Sequence, residues 1–225
     1  MPYFHGRYID RVVVLTGAGI SAESGVPTFR DADGLWERHN PMDIATPEAF
    51  SRDPGLVYRF YNARRAQLSS VQPNAAHEAL ARLQREFPGE VFLVTQNVDD
   101  LHERGGSPQV CHMHGELLAM ACTACERSMR AEGEFDGASS CPACGAGGKL
   151  RPDVVWFGEI PYHMDEIETR LAACDMFVAI GTSGLVYPAA GFVRRALAAG
   201  ATTVEINSQL SEVTDLFHHQ RKGLA

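Results

Sequence analysis

Four cysteines are the residues whose spacing most strongly indicates chemistry in this chain. Cys122 and Cys125 form one C-x-x-C pair, Cys141 and Cys144 form another, and 15 residues separate the two pairs. This spacing is typical of a zinc ribbon, in which four thiolates surround one tetrahedral zinc ion. Because four sulfur ligands leave no open position, we expect a structural rather than a catalytic zinc.

Two histidines stand just before the first cysteine pair, in "CHMHGEL". Residues two apart in a strand point to the same side, so His112 and His114 are expected to face one way. A neutral imidazole can accept a proton near physiological pH, but the spacing leaves open which of the two acts. Cys111 and Cys174 stand beside apolar residues, and we interpret both as small core residues.

The glycine turn "GAGISA" follows the apolar run "RVVVLT" and precedes an expected helix. Backbone amides at such a turn can hold a phosphate, although close packing of a glycine turn is an alternative explanation. A dinucleotide-binding dehydrogenase has an acidic residue about 20 positions further on. This chain has "PTFRDADGLW" instead, which we interpret as a polar loop over a ligand, and the dehydrogenase interpretation is weakened.

The polar segment "TQNVDD" ends another apolar run, "EVFLV". Gln96, Asn97 and Asp99 are therefore expected at the same sheet edge as the glycine turn. Such residues can simply cap a strand. Three of them facing a glycine turn favour recognition of a polar ligand.

The apolar runs around these motifs predict the fold. "RVVVLT", "EVFLVT", "CDMFVAIG" and "ATTVEIN" are continuous rather than alternating, as in parallel strands covered on both faces. "NAAHEALARLQREF" and "AAGFVRRALAAG" have helical spacing and would supply crossovers. We predict an α/β fold, a Rossmann-like doubly wound parallel sheet, formed by residues 1–118 and 151–225. Residues 119–150, with weak strand and helix periodicity, would form a small inserted zinc-ribbon domain.

Composition excludes several classes of protein. A chain of 225 residues with 45% hydrophobic residues can bury a sizeable core, and a net charge of -8 argues against direct nucleic-acid binding through a general basic field. The first residues, "MPYFHGRYIDRVVV", lack the apolar core of a signal peptide, and no run is long enough to span a bilayer. We expect a cytoplasmic protein without membrane insertion, and no oligomer is predicted.

Together these motifs resemble those of the sirtuins, which are NAD-dependent protein lysine deacylases. The resemblance rests on "GAGISAESGVPTFR", "TQNVDDLHERGG", "HMHGEL", the double C-x-x-C, "VVWFGE" and "GTSGLVYPAAGF", in that order over nearly the whole chain. In this family the histidine directly before glycine is the general base. The resemblance therefore implies that His114 is catalytic and that His112 supports it.

The resemblance also implies a mechanism and a set of contacts. The acyl-lysine carbonyl oxygen attacks the anomeric carbon of the nicotinamide ribose, nicotinamide leaves, and His114 activates a ribose hydroxyl, so that the acyl group ends on ADP-ribose. The implied NAD contacts are Gly17, Ala18, Gly19 and Ser21 at the phosphates, Gly181, Thr182, Ser183 and Asn207 on the phosphate and adenosine side, Arg30, Gln96, Asn97 and Asp99 near the ribose and nicotinamide, and Phe29 over the reactive carbon.

The segment "VVWFGE" resembles the one that pairs with substrate in this family. Val155, Trp156, Phe157 and Gly158 are thus expected to bind an extended peptide carrying the acylated lysine, as an added strand. "GLVY" would close the other side.

The helix-forming segment "FYNARRAQL" contains candidate residues for recognising the acyl group. Tyr61 and Arg64 are three apart on one helix face, which is also typical of an ordinary amphipathic helix with solvated arginines. The pair resembles the acyl pocket of class III sirtuins, where Arg64 would grip a succinyl or malonyl carboxylate and Tyr61 would donate a hydroxyl. Arg65 is predicted to lie at the surface. Acetyl-lysine is expected as a substrate too, and small Ala45 would leave room for a longer chain.

Three other functions remain alternatives. A protein mono-ADP-ribosyltransferase would share the NAD site, and a non-catalytic NAD-binding zinc module would bind NAD without releasing nicotinamide. A zinc hydrolase fits poorly, because it needs an open metal position that four cysteines deny.

Overall fold

The structure is a computed structural model that describes residues 2–27 and 40–224. The strands are β1 (Tyr3–Phe4), β2 (Arg7–Tyr8), β3 (Arg11–Thr16), β4 (Glu90–Thr95), β5 (Cys111–His112), β6 (Gly115–Cys122), β7 (Ser128–Arg130), β8 (Leu150–Val154), β9 (Met176–Ile180), β10 (Thr202–Asn207) and β11 (His219–Lys222). The α-helices are α1 (Pro47–Arg52), α2 (Pro54–Leu68), α3 (Ala75–Glu86), α4 (Leu101–Arg104), α5 (Met164–Ala173) and α6 (Phe192–Ala198). Shorter 3-10 helices cover Ala18–Ser24, Pro41–Asp43, Ala189–Gly191 and Thr214–Leu216.

Six parallel strands form the main sheet, in the order β11-β10-β9-β3-β4-β5. The strand order reverses between β3 and β9, which is the topological switch point of a Rossmann-like doubly wound sheet. The predicted fold class is confirmed. Sequence patterning missed β11, because its residues "HQRK" are polar and form an edge of the sheet.

The continuous apolar runs are buried on both faces of this sheet. In β3, Val13 and Leu15 pack in a core with Phe177 and residues of α5 and α6, whereas Val12 and Val14 pack on the opposite side. Successive side chains of a strand point to opposite faces, so a strand between two helical layers must be apolar throughout.

The helices begin where their capping residues indicate. Asp53 caps α2 by accepting a hydrogen bond from the Leu56 amide, and Asn74 forms a capping box with His77 at the start of α3. The predicted helices at α3 and α6 are confirmed. The helix expected after the glycine turn is a 3-10 helix, and it ends at Gly25, whose φ of 83° is left-handed.

A second, antiparallel sheet of three strands carries the cysteine pairs. Its order is β7-β6-β8, and with its loops it spans residues 115–154. We call residues 115–154 the cysteine module; the narrower limits 119–150 remain a prediction. Strand periodicity is weak there because β7 has only three residues.

No membrane-crossing helix occurs in the described parts of the chain: each helix is too short or too polar for that.

Candidate functional site

The glycine turn lies at the switch point between β3 and β9. The Gly17 amide donates to the Ile180 carbonyl at 3.0 Å, and the Gly19 amide donates to the Gly181 carbonyl at 2.9 Å. A Cβ atom added to Gly19 would lie 2.6 Å from the Gly181 Cα atom. Close packing of two backbones therefore requires glycine here, and it fixes the turn, including Ala18, at the carboxyl edge of the sheet.

The polar residues after β4 meet this turn, as predicted. Ser21 donates to the Asp99 carboxylate at 3.0 Å and accepts from the Asn97 side-chain amide at 3.1 Å. Burial raises the pKa of Asp99, although hydrogen bonds from the Leu101 amide and from Ser21 oppose that rise. The three side chains form one bonded set beside the glycine turn.

A buried layer beneath this set was missed by sequence reasoning. His77 lies 3.4 Å from the Ser21 hydroxyl, and His102 lies 2.9 Å from the Thr16 hydroxyl, which donates to Thr95. Burial lowers the pKa of His77 to about 4 and that of His102 to about 3, so both are neutral supports. The signal available for His77 was its position three residues after Asn74, at the start of a helix.

His114 follows the end of β5 and faces the strand end of β4. Its Nδ1 atom lies 3.1 Å from the Gln96 carbonyl oxygen. A carbonyl can only accept, so Nδ1 carries the proton and Nε2 keeps its lone pair. Burial lowers the pKa of His114, only partly offset by the bond to Gln96. His114 is thus a neutral imidazole whose basic nitrogen, Nε2, lies on the opposite side of the ring from the Gln96 carbonyl.

His112 has an oxygen partner at each ring nitrogen. Its Nδ1 atom lies 3.2 Å from the Asn97 carbonyl oxygen, and its Nε2 atom lies 2.7 Å from the Glu103 carboxylate. Burial alone would lower the pKa of His112, but the hydrogen bond and charge of Glu103 outweigh it and raise that pKa. With both ring nitrogens engaged by these oxygens, His112 is less suited than His114 to act as a base. Sequence reasoning missed Glu103.

Gly115 explains why glycine follows the histidine. Its φ is 76°, and a Cβ atom there would lie 2.1 Å from the Asp153 carbonyl oxygen. Only glycine allows β6 and β8 to approach so closely. The His114 carbonyl accepts a hydrogen bond from the Val155 amide at 2.9 Å, which ties the histidine to the segment 155–158.

The expected adenosine-side residues come together at the ends of β9 and β10. The Asn207 side-chain amide donates to the Thr182 carbonyl at 2.6 Å, and the Ser183 hydroxyl accepts from the Leu185 amide at 3.2 Å. Gly181 has a left-handed φ of 63° and lies against Gly19. These residues and the glycine turn thus share one edge of the sheet.

The expected peptide-binding segment is partly engaged by its own fold. The amides of Val155, Trp156 and Phe157 donate to the His114 carbonyl, the Glu159 carboxylate and the Ala45 carbonyl. The Trp156 carbonyl accepts from the Glu159 amide, so within the described residues the Phe157 carbonyl and the exposed Gly158 are the groups left for pairing with a peptide. The Trp156 side chain is buried, and Arg151 stacks on it at 3.6 Å from the ring centroid.

Helix α2 carries the candidate acyl-binding pair. Tyr61 is buried, and its hydroxyl accepts a hydrogen bond from Trp156 Nε1 at 2.9 Å. Because the oxygen accepts there, the phenol proton stays available to donate a further hydrogen bond. Burial raises the pKa of Tyr61 well above its usual range, so the hydroxyl stays protonated. Half-buried Arg64 donates to Gln67 at 3.1 Å and lies over the Phe60 ring.

The prediction that Arg65 lies at the surface is wrong. Arg65 is 8% exposed, its Nε donates to the Leu117 carbonyl at 2.8 Å, and its guanidinium lies 4.8 Å from the Phe135 ring centroid. The side chain turns toward the cysteine module, which covers that face of α2.

The four paired cysteines meet as predicted. Their sulfur atoms all lie within 4.8 Å of one another, with Cys122 and Cys144 3.8 Å apart and Cys125 and Cys141 3.9 Å apart. Zinc–sulfur bonds of about 2.3 Å in a tetrahedron require sulfur separations of about 3.8 Å, so the cluster fits zinc. Cys111 and Cys174 are buried, and burial raises the pKa of each thiol to about 11, in line with core roles.

Two candidate residues, Phe29 and Arg30, lie outside the described residues.

Similar proteins carry one activity in their names. The chain is 56% identical over 219 residues to the NAD-dependent protein deacylase SIR2rp3 of Leishmania major, covering 95% of this chain and 90% of the relative. It is 54% identical over 217 residues to the NAD-dependent protein deacylase of Salmonella typhimurium, covering 96% and 80%.

Solved structures agree with the fold and with a site for NAD. A Sir2 homolog in complex with NAD has a TM-score of 0.86 and 41% identity, covering 95% of this chain and 84% of that one. A Sir2 protein with a deacetylated p53 peptide and 3′-O-acetyl ADP-ribose has a TM-score of 0.82 and 28% identity, covering 95% and 88%. A family model described as "Sir2 family" matches residues 17–188. The chain therefore belongs to the Sir2 family.

Proposed function

We propose that this protein removes succinyl, malonyl and acetyl groups from protein lysines, with NAD as co-substrate and His114 as general base. NAD-dependent protein deacylation is the activity shown by relatives that match nearly the whole chain. The observation that supports the residue roles is the contrast between two neighbouring histidines: among the described residues, both ring nitrogens of His112 have a partner, whereas His114 has one at Nδ1 alone.

The residues at the switch point suit a dinucleotide. The backbone turn at Gly17, Ala18 and Gly19 presents no side chain larger than a methyl group, so a pyrophosphate can approach the turn closely, while the Gly17 and Gly19 amides hold the turn against Ile180 and Gly181. Ser21, Asn97 and Asp99 supply polar groups for the ribose and nicotinamide amide, and Thr182 with Asn207 borders the adenosine side. NAD, when bound, supplies an electrophilic ribose carbon and nicotinamide as a leaving group.

His114 would accept the proton of a ribose hydroxyl at Nε2. Its Nδ1–H is held by the Gln96 carbonyl, so the ring is oriented before substrate arrives. His112 would hold the Asn97 backbone through its second donor, and it would thereby keep the nicotinamide-binding amide beside His114.

The protein substrate would bind in extended form next to this base. The segment 155–158 is joined to His114 by the Val155 amide, so a peptide paired with Gly158 and the Phe157 carbonyl would bring its lysine toward the site. Main-chain pairing would make selectivity for the surrounding sequence loose. We propose no direct nucleic-acid binding, since the net charge is -8.

A cytoplasmic location is also proposed. No cysteine forms a disulfide, and four of the six form a cluster that fits zinc, a cysteine usage typical of a reducing compartment.

The acyl preference would come from α2. The Tyr61 hydroxyl accepts from Trp156 and so can donate its own proton to a distal carboxylate, while the Arg64 guanidinium supplies the opposite charge. A methyl group, as in acetyl, needs neither contact, so acetyl-lysine would also be a substrate.

Substitutions in this pair test the acyl preference. We expect Tyr61→Phe and Arg64→Met each to lower kcat/KM for a succinyl-lysine peptide by about 10- to 100-fold, because one charge-assisted contact is lost. Turnover of the matched acetyl-lysine peptide should change by less than about threefold. Nicotinamide release from NAD measures both reactions.

Arg59→Met, on the same helix, serves as the matched control, because Arg59 is exposed. An equal loss with both peptides in the Tyr61 and Arg64 variants would mean that these residues serve only the fold. If labelled NAD left its label attached to protein, the activity would instead be that of a protein mono-ADP-ribosyltransferase.

Gly19→Ala tests the dinucleotide site. The new Cβ would meet the Gly181 backbone at 2.6 Å, so the two turns must separate. We expect KM for NAD to rise at least about tenfold, because displacements near 1 Å disturb a preorganised site strongly. Gly147→Ala is the control, since its Cβ would meet only the Ser140 hydroxyl at 3.8 Å. An unchanged KM for NAD in Gly19→Ala would contradict the assignment.

A further inference from the structure

Helix α2 presents two adjacent faces to two different partners. On one face, Tyr61 contacts Trp156 of the peptide-binding segment. On the other, the Tyr58 hydroxyl donates to the Leu150 carbonyl at 2.6 Å, and the Asn62 side-chain amide donates to the Phe135 carbonyl at 3.0 Å. The second face is therefore fixed to the cysteine module.

Arg65 is the most extensively bonded residue of that second face. Its Nε bonds the Leu117 carbonyl, and its Nη1 bonds Asn62 at 2.7 Å and the Gly133 carbonyl at 3.4 Å. Its guanidinium also lies over the Phe135 ring. One planar side chain thus joins α2 to β6 and to the loop between the two cysteine pairs.

The environment of Arg65 is unfavourable if packing is its only role. Within the described residues, every hydrogen-bond partner of its guanidinium is neutral, and Nη2 is buried without a partner. Replacing a buried charge by an apolar residue of similar volume is often neutral or stabilising. An apolar residue would lose the fixed, planar set of N–H donors of the guanidinium, its fork. These donors fix the position of α2 on the cysteine module rather than adding stability.

We propose that Arg65 is a positioning residue for acyl selectivity: it fixes α2 on the cysteine module and so sets the places of Tyr61 and Arg64. This inference rests on the proposed acidic-acyl pocket. An acyl group with a distal carboxylate must reach the α2 pair, whereas acetyl ends short of it. A small shift of α2 therefore weakens binding of the long acyl group selectively.

The test compares two substitutions at Arg65 with two peptides. Arg65→Met keeps the apolar stem and removes the fork, whereas Arg65→Lys keeps a single donor group. We expect Arg65→Met to raise KM for the succinyl-lysine peptide about tenfold while KM and kcat for the acetyl-lysine peptide stay within about twofold. Arg65→Lys should recover part of the difference. Zinc content, measured in parallel, should stay at that of the unsubstituted protein.

A second variant covers the case in which Arg65→Met does not fold. Tyr58→Phe introduces no buried charge, and it removes one hydrogen bond from the same face of α2. Because only one bond is lost, the ratio of the succinyl KM to the acetyl KM should rise as in Arg65→Met, but by a smaller factor. The proposal is overturned if Arg65→Met alters both KM values equally at full zinc content. It is equally overturned if Arg65→Met is unfolded and Tyr58→Phe leaves the ratio unchanged.

The experiment separates this inference from the proposed function. If Arg64→Met leaves succinyl turnover intact, the acidic-acyl pocket itself is wrong. If Arg64→Met abolishes the succinyl preference and the Arg65 and Tyr58 variants do not, the pocket stands and only the positioning role fails.

Discussion

His114→Ala is expected to lower deacylation by about 10³-fold, within the range that a positioned general base contributes. The structure gives the reason: Nδ1–H is held by the Gln96 carbonyl, and the lowered pKa keeps Nε2 unprotonated. Binding of NAD should change by less than about threefold, because the phosphate and adenosine contacts lie elsewhere on the sheet edge. Turnover is measured as nicotinamide release with an acyl-lysine peptide, and NAD affinity by calorimetry.

The same histidine predicts a pH dependence. Because burial lowers the pKa of His114, the base stays neutral below the usual histidine value of about 6.5, and kcat/KM should fall only as pH drops through that lowered pKa. His219→Ala is the control, since His219 stacks on His5 at the edge strand β11.

Full turnover in His114→Ala would contradict the role of His114 as general base. It would favour a protein that binds NAD without catalysing deacylation.

Local patterns in the sequence identified the elements whose signals are local. Continuous β-branched runs predict the buried strands β3, β4, β9 and β10, and two glycines predict a turn where backbones meet. Cysteine spacing predicts the metal cluster, because a C-x-x-C pair brings its own two sulfur atoms together.

Contacts between distant segments could not be read from such patterns. Arg65 is buried because it turns toward the Leu117 carbonyl, 52 residues further along, which accepts its Nε hydrogen bond, and adjacent helical residues differ by about 100° in direction. Glu103 and His112 are nine residues apart and meet only after α4 and the following loop fold back. That contact occupies the second ring nitrogen of His112, so the choice between His112 and His114 needed either a family resemblance or the folded structure.

Cys141→Ala is expected to abolish zinc binding and to unfold the cysteine module. Cys141 is a buried member of the four-sulfur cluster. Binding of structural zinc contributes about 10–16 kcal/mol in small zinc domains, which exceeds what three short strands can supply by packing. Deacylation should then be lost as well, because β6 begins directly after His114 and α2 is bonded to this module. Metal analysis, thermal unfolding and nicotinamide release measure the three effects.

The matched control is Cys174→Ala, which removes a buried thiol outside the cluster. It should keep one zinc ion per chain and most of its activity, with only a modest loss of stability from the small cavity. A strong chelator acting on the unsubstituted protein should reproduce the Cys141→Ala defect, and added zinc should reverse it. Retention of activity and of the melting temperature after complete removal of the metal would show that the module folds without zinc. The positions of α2 and His114 would then have to be maintained by the protein contacts alone.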